Sequence, residues 1–509
     1  MPKKALISVS DKRDIVEFAS FLKENDYDMI SSGGTASVLR DSGIDVKEVK
    51  EVTGFPEILG GRVKTLHPKI HGGILYQVGK YEKDVEEHAL PEIDIVVVNL
   101  YPFQKVISGD HDLNQAIENI DIGGVALLRA AAKNNERVAI VSDPDQYKEI
   151  MDEMEENNEI SQNMRNKLAV RAFQQTTEYD ATISAYLQER YEDTILPTIY
   201  QITGKKVQDL RYGENPNQKA AFYRTETTGE SSILKAKKHH GKALSYNNIN
   251  DLEGAMDLVK EFEKPTVAAI KHTNPTGVGT EEDIAEAYRK AYACDTKSIY
   301  GGIIAANRPI SVEMAEEMDK IFVEASIAPG YEDGAIEVLK NKKNIRIMEL
   351  PDWDPERRGY EIKKVTEGML VQERNRSKIN KEDFEVVSER QPTEDELEAM
   401  EFGYKVVKHV KSNSIVFTKK DQTVGIGAGQ MSRVDAVHIA NMKAMLDTEG
   451  ATMASDAFFP FRDGVDAAHG AGITSVVQPG GSIRDDEVIE AVNEHDMSMV
   501  FTGFRVFKH

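Results

Sequence analysis

Short continuous apolar runs alternate with helix-spaced apolar sets from the start of the chain. Ala5-Leu6-Ile7-Ser8-Val9 reads as a buried strand. Ile15, Phe18, Ala19 and Leu22 then mark one helix face, with Ser10 as the expected N-cap. Met29-Ile30 runs into Ser31-Ser32-Gly33-Gly34, a strand ending in a glycine turn, and Thr35 is expected to cap a helix carrying Val38 and Leu39. Ile93 to Asn99 is the Val/Ile run that a parallel sheet covered on both faces requires, and Ala139-Ile140-Val141 is a fourth strand. These elements predict a doubly wound α/β domain over about the first 145 residues, with ligands at the carboxyl ends of its strands.

Residues 146–190 read as mainly helical, with Met151 to Glu159 as a solvated acidic stretch. Leu196-Pro197 and the polar run from Thr203 through Asn217 carry no periodicity and suggest a linker. The expected division is a domain at 1–195, a linker at 196–204 and a larger α/β region at 205–509. In that region Thr266–Ile270, Val424–Gly427 and Ser475–Gln478 read as strands. Thr393-Glu394-Asp395-Glu396 is a capping box opening a helix with Leu397, Met400, Tyr404 and Val407 inward. Periodicity alone does not divide this region into halves.

The 509 residues exceed what one core supports, which is about 250–300. A net charge of −23 argues against a broad nucleic-acid face, so an anionic ligand must be gripped locally. The single cysteine, Cys294, offers neither a disulfide framework nor a CxxC pair, which suits a reducing compartment; cytoplasm is the expectation. The apolar run ending at Ser8 is too short for a signal sequence, and no stretch approaches the roughly 18 apolar residues of a membrane span.

Against that acidic background, Ser10-Asp11-Lys12 and Ser32-Gly33-Gly34-Thr35 both stand at strand-to-helix junctions, where free N–H groups can cradle a phosphate. Gly60-Gly61-Arg62-Val63-Lys64-Thr65 adds two cations and a hydroxyl. His67 and His71 have i, i+4 spacing, but Pro68 and Gly72-Gly73 argue against a helix, and hence a zinc pair, there. Asn99-Leu100-Tyr101 follows the buried strand, and Asp121 precedes a helix on which Arg129 and Lys133, four apart, would share a cleft.

Further on, Lys271-His272 ends a strand at a turn rich in Asn, Pro and Gly, pairing a cation with a group that titrates near neutral pH. That combination suits acyl transfer. Gly425-Ile426-Gly427-Ala428-Gly429 is a weak dinucleotide fingerprint with Gln430 in place of the third glycine, so a nicotinamide oxidoreductase is a competing reading. Arg433 opens a helix where it could meet a phosphate, and Phe458 and Phe461 could stack on a planar heterocycle.

Taken in order, these motifs resemble the bifunctional AICAR transformylase/IMP cyclohydrolase family of purine biosynthesis along essentially the whole chain. The likeness rests on Ser-Val-Ser-Asp-Lys at 8–12, Ser-Gly-Gly-Thr at 32–35, Gly-Gly-Arg-Val-Lys-Thr-Leu-His-Pro at 60–68, Asn-Leu-Tyr-Pro-Phe at 99–103 and Asp-Ile-Gly-Gly at 121–124. It continues through Leu-Arg-Tyr-Gly-Glu-Asn-Pro at 210–216, Lys-His at 271–272, Lys-Ser-Asn at 411–413, Gly-Ala-Gly-Gln-Met-Ser-Arg at 427–433 and Ser-Asp-Ala-Phe-Phe-Pro-Phe at 455–461.

The resemblance implies a methylglyoxal-synthase-like domain that closes formyl-AICAR to IMP, and a duplicated cytidine-deaminase-like region that formylates AICAR from 10-formyltetrahydrofolate. Ser10, Asp11, Lys12, Ser32, Gly33, Gly34, Thr35, Arg62, Thr65 and Asn99 would bind nucleotide, with Lys64, Tyr101, Asp121 and Lys133 in the ring-closing chemistry. Lys271, His272 and Asn413 would serve formyl transfer, with Arg211, Tyr212, Gly301, Arg433 and Arg505 on AICAR. Phe458, Phe461, Asp463, Ser482 and Ile483 would meet the folate. The HxE and PCxxC pattern of zinc deaminases is missing, so no catalytic metal is expected. A homodimer and a structural potassium ion are further implied, with no nucleic-acid or membrane partner. Glu324 is an uncertain counterpart of a family carboxylate. A domain that only senses phosphorylated ligands is the binding-module alternative.

Overall fold

A computed structural model describes residues 3–192, 194–225, 231–354 and 359–509. The chain divides into two compact units, Met1–Thr203 and Gly204–His509. In the first, β1 (Lys3–Val9), β2 (Tyr27–Ser31), β3 (Val46–Glu48), β4 (Ile95–Asn99) and β5 (Ala139–Val141) form a parallel sheet of order β3-β2-β1-β4-β5. All five residues of β4 are buried, as its unbroken Val/Ile composition requires. The short β3 escaped the periodicity argument.

The helices begin later or elsewhere than the cap residues suggested. α1 (Ile15–Glu24) starts after Asp14, and α2 (Gly33–Asp41) has Ser32 at its N-cap position with Thr35 inside it. A helix also forms where one was argued against: α3 (Pro68–Leu75) carries Pro68 in its first turn, where a missing N–H costs nothing, and the His67 ring accepts the Lys69 N–H at 3.1 Å. Gly73 serves packing there, since a Cβ would lie 2.0 Å from the Pro91 carbonyl oxygen. α4 (Gly123–Lys133) and the long α5 (Gln162–Tyr191) complete the part of this unit used below.

The second unit opens with a hairpin, β6 (Lys205–Leu210) and β7 (Ala220–Arg224), in the stretch expected to be irregular. Its main sheet has twelve strands. The first six are β8 (Lys237–His240), β9 (Thr266–Lys271), β10 (Asn274–Thr280), β11 (Gly302–Ala306), β12 (Val323–Ala328) and β13 (Arg346–Glu349). After the separate hairpin β14 (Tyr360–Val365) and β15 (Gly368–Glu373) come β16 (Glu385–Val386), β17 (Ile415–Lys419), β18 (Gln422–Gly427), β19 (Thr452–Ser455), β20 (Ser475–Gln478) and β21 (Ser498–Phe501).

The order β16-β21-β20-β19-β17-β18-β10-β9-β11-β12-β13-β8 is the same six-strand pattern twice, joined antiparallel at β10 and β18. The helices repeat too. α6 (Tyr246–Val259), α7 (Ile284–Cys294), α8 (Val312–Asp319) and α9 (Ala335–Leu339) in one half answer to α10 (Glu394–Val407), α11 (Arg433–Lys443), α12 (Asp463–Gly470) and α13 (Asp485–Glu494) in the other.

Alternation along the strands divides the core. Ala268 and Ile270 pack with Leu252 and Met256 of α6, whereas Val267 and Ala269 pack with Ala287 and Ala291 of α7. Two glycine pairs seat helices on this sheet. A Cβ on Gly277 would lie 1.9 Å from the Ala291 carbonyl oxygen, and one on Gly427 equally close, 1.9 Å, to that of Ala436. Gly425-Ile426-Gly427 is therefore a strand interior that lets α11 approach, as Gly277-Val278-Gly279 does for α7. It is not a dinucleotide turn.

Candidate active sites

In the first unit the strand ends converge as the parallel topology demands. The Asn99 side-chain oxygen, at the end of β4, accepts the Ser10 and Asp11 N–H groups at 2.6 and 2.8 Å, fixing the loop after β1. The Thr35 hydroxyl bonds both the N–H and the carbonyl of Val9, at 3.2 and 3.0 Å, pinning α2 to the same strand end. Asn99 and Thr35 thus shape the cradle through the main chain.

Ser32 differs. Its hydroxyl is buried, with no partner among the described residues, at the N-terminus of α2, beside Gly33 and Gly34, where an added Cβ would meet nothing within 4 Å. Lys12 is exposed, and Asp11 accepts the Arg13 N–H at 3.0 Å and pairs with the Arg13 guanidinium at 2.7 Å, which together hold its carboxyl below the usual aspartate range.

Asp121 accepts the Gly124 N–H at 2.7 Å and the Tyr101 N–H at 3.3 Å. Burial pushes its pKa up, against those N–H groups and the Lys64 charge. Buried Thr65 adjoins Gly123, whose Cβ would lie 3.0 Å from the Thr65 hydroxyl.

Two further expected members are exposed. Exposed Arg62 is paired with Glu118. Lys133 is exposed on the last turn of α4, about 15 Å along the axis from Gly123 at a rise of about 1.5 Å per residue. Arg129, one turn earlier on the same helix, is set 5.6 Å from the Phe173 ring.

In the second unit, β9 ends at Lys271 and the chain turns through His272 and Thr273, both left-handed, at φ 54° and 63°. The Lys271 ammonium donates to the Tyr300 carbonyl at 2.8 Å, beside Gly301, whose φ of 74° suits glycine. Asn274 Oδ1 accepts the Lys411 N–H at 3.0 Å, joining this turn to Lys411-Ser412-Asn413. The peptide between Ser412 and Asn413 is cis.

Asn413 is held by its side chain: Nδ2 donates to the carbonyls of Gln430 and Met431 at 3.0 and 3.2 Å, and Oδ1 accepts from Arg433 at 2.8 Å. Arg433 is itself buried, bonded to Ser455 and to the fully buried Asp456. Its guanidinium is bonded inside the protein and positions Asn413. The C-terminal segment passes alongside, with the Val506 N–H on the Asp456 carbonyl at 2.9 Å, and it carries exposed Arg505.

Arg211 and Tyr212 follow β6, 5.6 Å from guanidinium to ring, and Asn247 of α6 donates to the nearby Glu214 carbonyl at 3.4 Å. Phe458 is half-buried, and Phe461 lies under the Arg484 guanidinium at 4.8 Å. Asp463 accepts the Gly464 N–H at 2.8 Å, and Ile483 beside Ser482 is wholly exposed.

Glu324, at the same end of the sheet as Lys271, is paired with Arg346. A cavity of this unit opens near Lys264, Arg308 and Lys420, at the other end of β9, away from the Lys271 turn. Among the described residues no group of three or more His, Cys, Asp and Glu could hold a metal, and no helix is long and apolar enough to cross a membrane.

Comparison with known proteins finds two families along the chain. The family described as AICARFT/IMPCHase bienzyme matches residues 131–443, and the MGS-like domain family matches residues 14–126. The bifunctional purine biosynthesis protein PurH of Acetivibrio thermocellus is 50% identical over 514 residues, covering 100% of both chains. Its namesakes in Ruminiclostridium cellulolyticum and Persephonella marina are each 48% identical, over 514 and 517 residues, again covering 100% of both chains.

Proposed function

The chain belongs to the AICARFT/IMPCHase bienzyme family, and from that membership we propose how its two activities are divided. It is a bifunctional enzyme of purine biosynthesis: a formyltransferase acting on AICAR and a cyclohydrolase that closes formyl-AICAR to IMP, the last two steps of IMP synthesis. Ring closure belongs to residues 1–195 and formyl transfer to 205–509, with 196–204 as the linker.

The AICAR amine is a poor nucleophile because its lone pair is delocalised into the ring and the carboxamide. Its attack on the formyl carbon of 10-formyltetrahydrofolate makes the new C–N bond and a transient oxyanion. Lys271 offsets that charge, and His272 takes the amine proton. The bond to folate N10 then breaks, and N10 leaves protonated as tetrahydrofolate. Asn413 hydrogen-bonds near the transferring group; Arg211, Tyr212, Gly301 and Arg505 hold AICAR; Phe458, Phe461, Asp463, Ser482 and Ile483 hold the folate.

In the first unit the carboxamide nitrogen attacks the formyl carbon and water leaves. Asp121, Tyr101 and Lys64 serve the proton transfers around bound nucleotide, which Ser10, Asp11, Lys12, Ser32, Gly33, Gly34, Thr35 and Thr65 receive. Lys133 joins the proton-transfer set on family resemblance alone. The enzyme acts as a cytoplasmic homodimer and, on family resemblance, carries a structural potassium ion.

The hydrogen bond from Lys411 to Asn274 carries the transferase reading, because it joins the Lys-His turn to Asn413 within one unit. The test supplies AICAR and formyl donor and follows tetrahydrofolate and IMP separately. Lys271→Ala abolishes tetrahydrofolate release and spares closure of added formyl-AICAR; Lys133→Ala does the converse. A Lys133→Ala enzyme that closes the ring but releases no tetrahydrofolate overturns the division.

A further inference from the structure

His272 and Thr273 are consecutive non-glycine residues in the left-handed region, at φ 54° and 63°. A β-branched residue is a rare occupant of that region, and each such residue persists only where its surroundings over-determine it. The Thr273 hydroxyl and Asn274 Nδ2 meet the His272 carbonyl, at 2.7 and 3.3 Å, while one side chain meets the N–H groups. Asp251, half-buried on α6, accepts the Thr273 N–H at 2.7 Å, and the His272 N–H is also directed at its carboxylate.

α6 is well anchored for this task. Ser245 caps it in a capping box with Asn248, and Leu252, Ala255 and Met256 bury its inner face. Four residues before Asp251, Asn247 reaches the Glu214 carbonyl in the Arg211-Tyr212 loop. One helix therefore ties the loop proposed to hold AICAR to the turn that carries the Lys-His pair.

The duplicated half supplies an internal control. The equivalent β17–β18 turn contains no left-handed non-glycine residue. Its helix α10 places Ala399 six positions after the capping Thr393, as Asp251 stands six after Ser245, and neighbouring Glu398 pairs with the Lys420 side chain at 2.7 Å. The left-handed pair and the carboxylate on its N–H groups occur together only in the half that carries Lys271-His272.

We propose that Asp251 is a positioning residue for formyl transfer, holding the His272–Thr273 main chain in the turn that presents the Lys271-His272 pair. This rests on the assignment of that pair above. Without the carboxylate the turn relaxes toward right-handed or extended backbone, and the imidazole is displaced from the amine proton. A geometric role of this kind appears in turnover more than in substrate affinity.

The test compares His272→Ala, Asp251→Asn and the double variant Asp251→Asn/Thr273→Gly, each in the full-length enzyme. Asparagine keeps one acceptor but turns an amide toward the second N–H, while glycine accepts the left-handed conformation without a Cβ. Asp251→Asn is expected to lower kcat for formyl transfer about tenfold with KM for AICAR within about twofold, and Thr273→Gly to restore about threefold of it.

Full turnover in Asp251→Asn overturns the proposal, as does a loss that Thr273→Gly leaves untouched. Full turnover in His272→Ala instead removes the site assignment beneath it. Fluorescence of Trp353, the only tryptophan of the chain, reports whether the second unit is folded. Should Asp251→Asn lose that signal, the same comparison is made with Asp251→Glu, which displaces the carboxylate by one methylene.

Discussion

Arg433 holds Asn413 through a 2.8 Å hydrogen bond from its guanidinium to the Asn413 side-chain oxygen, while pairing with the fully buried carboxylate of Asp456. Removing the cation leaves the buried Asp456 carboxyl without its ion-pair partner. Arg433→Met is therefore expected to destabilise the second unit by about 3–5 kcal/mol. Urea unfolding followed through Trp353 measures it, and a midpoint unchanged from wild type would refute the buried pairing.

Gly277 and Gly427 occupy equivalent places in the two halves, each facing a helix carbonyl that a Cβ would reach at 1.9 Å. Gly277→Ala and Gly427→Ala should each cost at least about 1–3 kcal/mol by overpacking. Gly254, inside α6 with nothing within 4 Å of its Cβ position, is the matched control. Gly254→Ala should stabilise by about 0.5–1 kcal/mol through helix propensity. Equal effects at all three positions, read by Trp353, would refute the close approach.

The α/β class and most strands were legible because buried strands such as Ile95–Asn99 need continuous apolar runs. Helix starts were less legible: Ser10 and Thr35 looked like caps, but their hydrogen bonds serve the strand ends through Asn99 and Val9. The duplication had a sequence trace in Gly277-Val278-Gly279 and Gly425-Ile426-Gly427, which only topology turns into a repeat. Arg433 and Asp251 were beyond reach for one reason. A cation committed to a carboxylate 23 positions away, and a carboxylate that holds a turn 22 positions later, make pairs that no local spacing reveals.

Ser32 offers a contrast between stability and binding. Its buried hydroxyl has no partner among the described residues, so removing it loses no hydrogen bond to them. Ser32→Ala should leave the stability of the first unit within about 0.5 kcal/mol of wild type. If the nucleotide phosphate is the missing acceptor, IMP affinity should fall about tenfold, a loss of about 1.4 kcal/mol. Calorimetric titration with IMP reads the second effect and thermal unfolding the first; unchanged affinity would remove Ser32 from the cradle.

Asp121 ties the proposed ring closure to pH. Burial raises its pKa in the folded protein, with the Gly124 and Tyr101 N–H groups and the Lys64 charge opposing. Well below the ordinary aspartate range the carboxyl is protonated whether the chain is folded or not. As pH rises, the unfolded chain ionises first while the folded one retains its proton, so the contribution of Asp121 to stability is full at low pH and is lost as pH passes the raised folded pKa. Activity should run the other way. If ionised Asp121 serves the proton transfer, the acid limb of kcat/KM for closure of formyl-AICAR lies above the ordinary aspartate range. Lys64→Ala, by removing a charge that favours the carboxylate, should move that limb further up. A limb at the ordinary aspartate position, or one that stays fixed in Lys64→Ala, would show that another group controls the step.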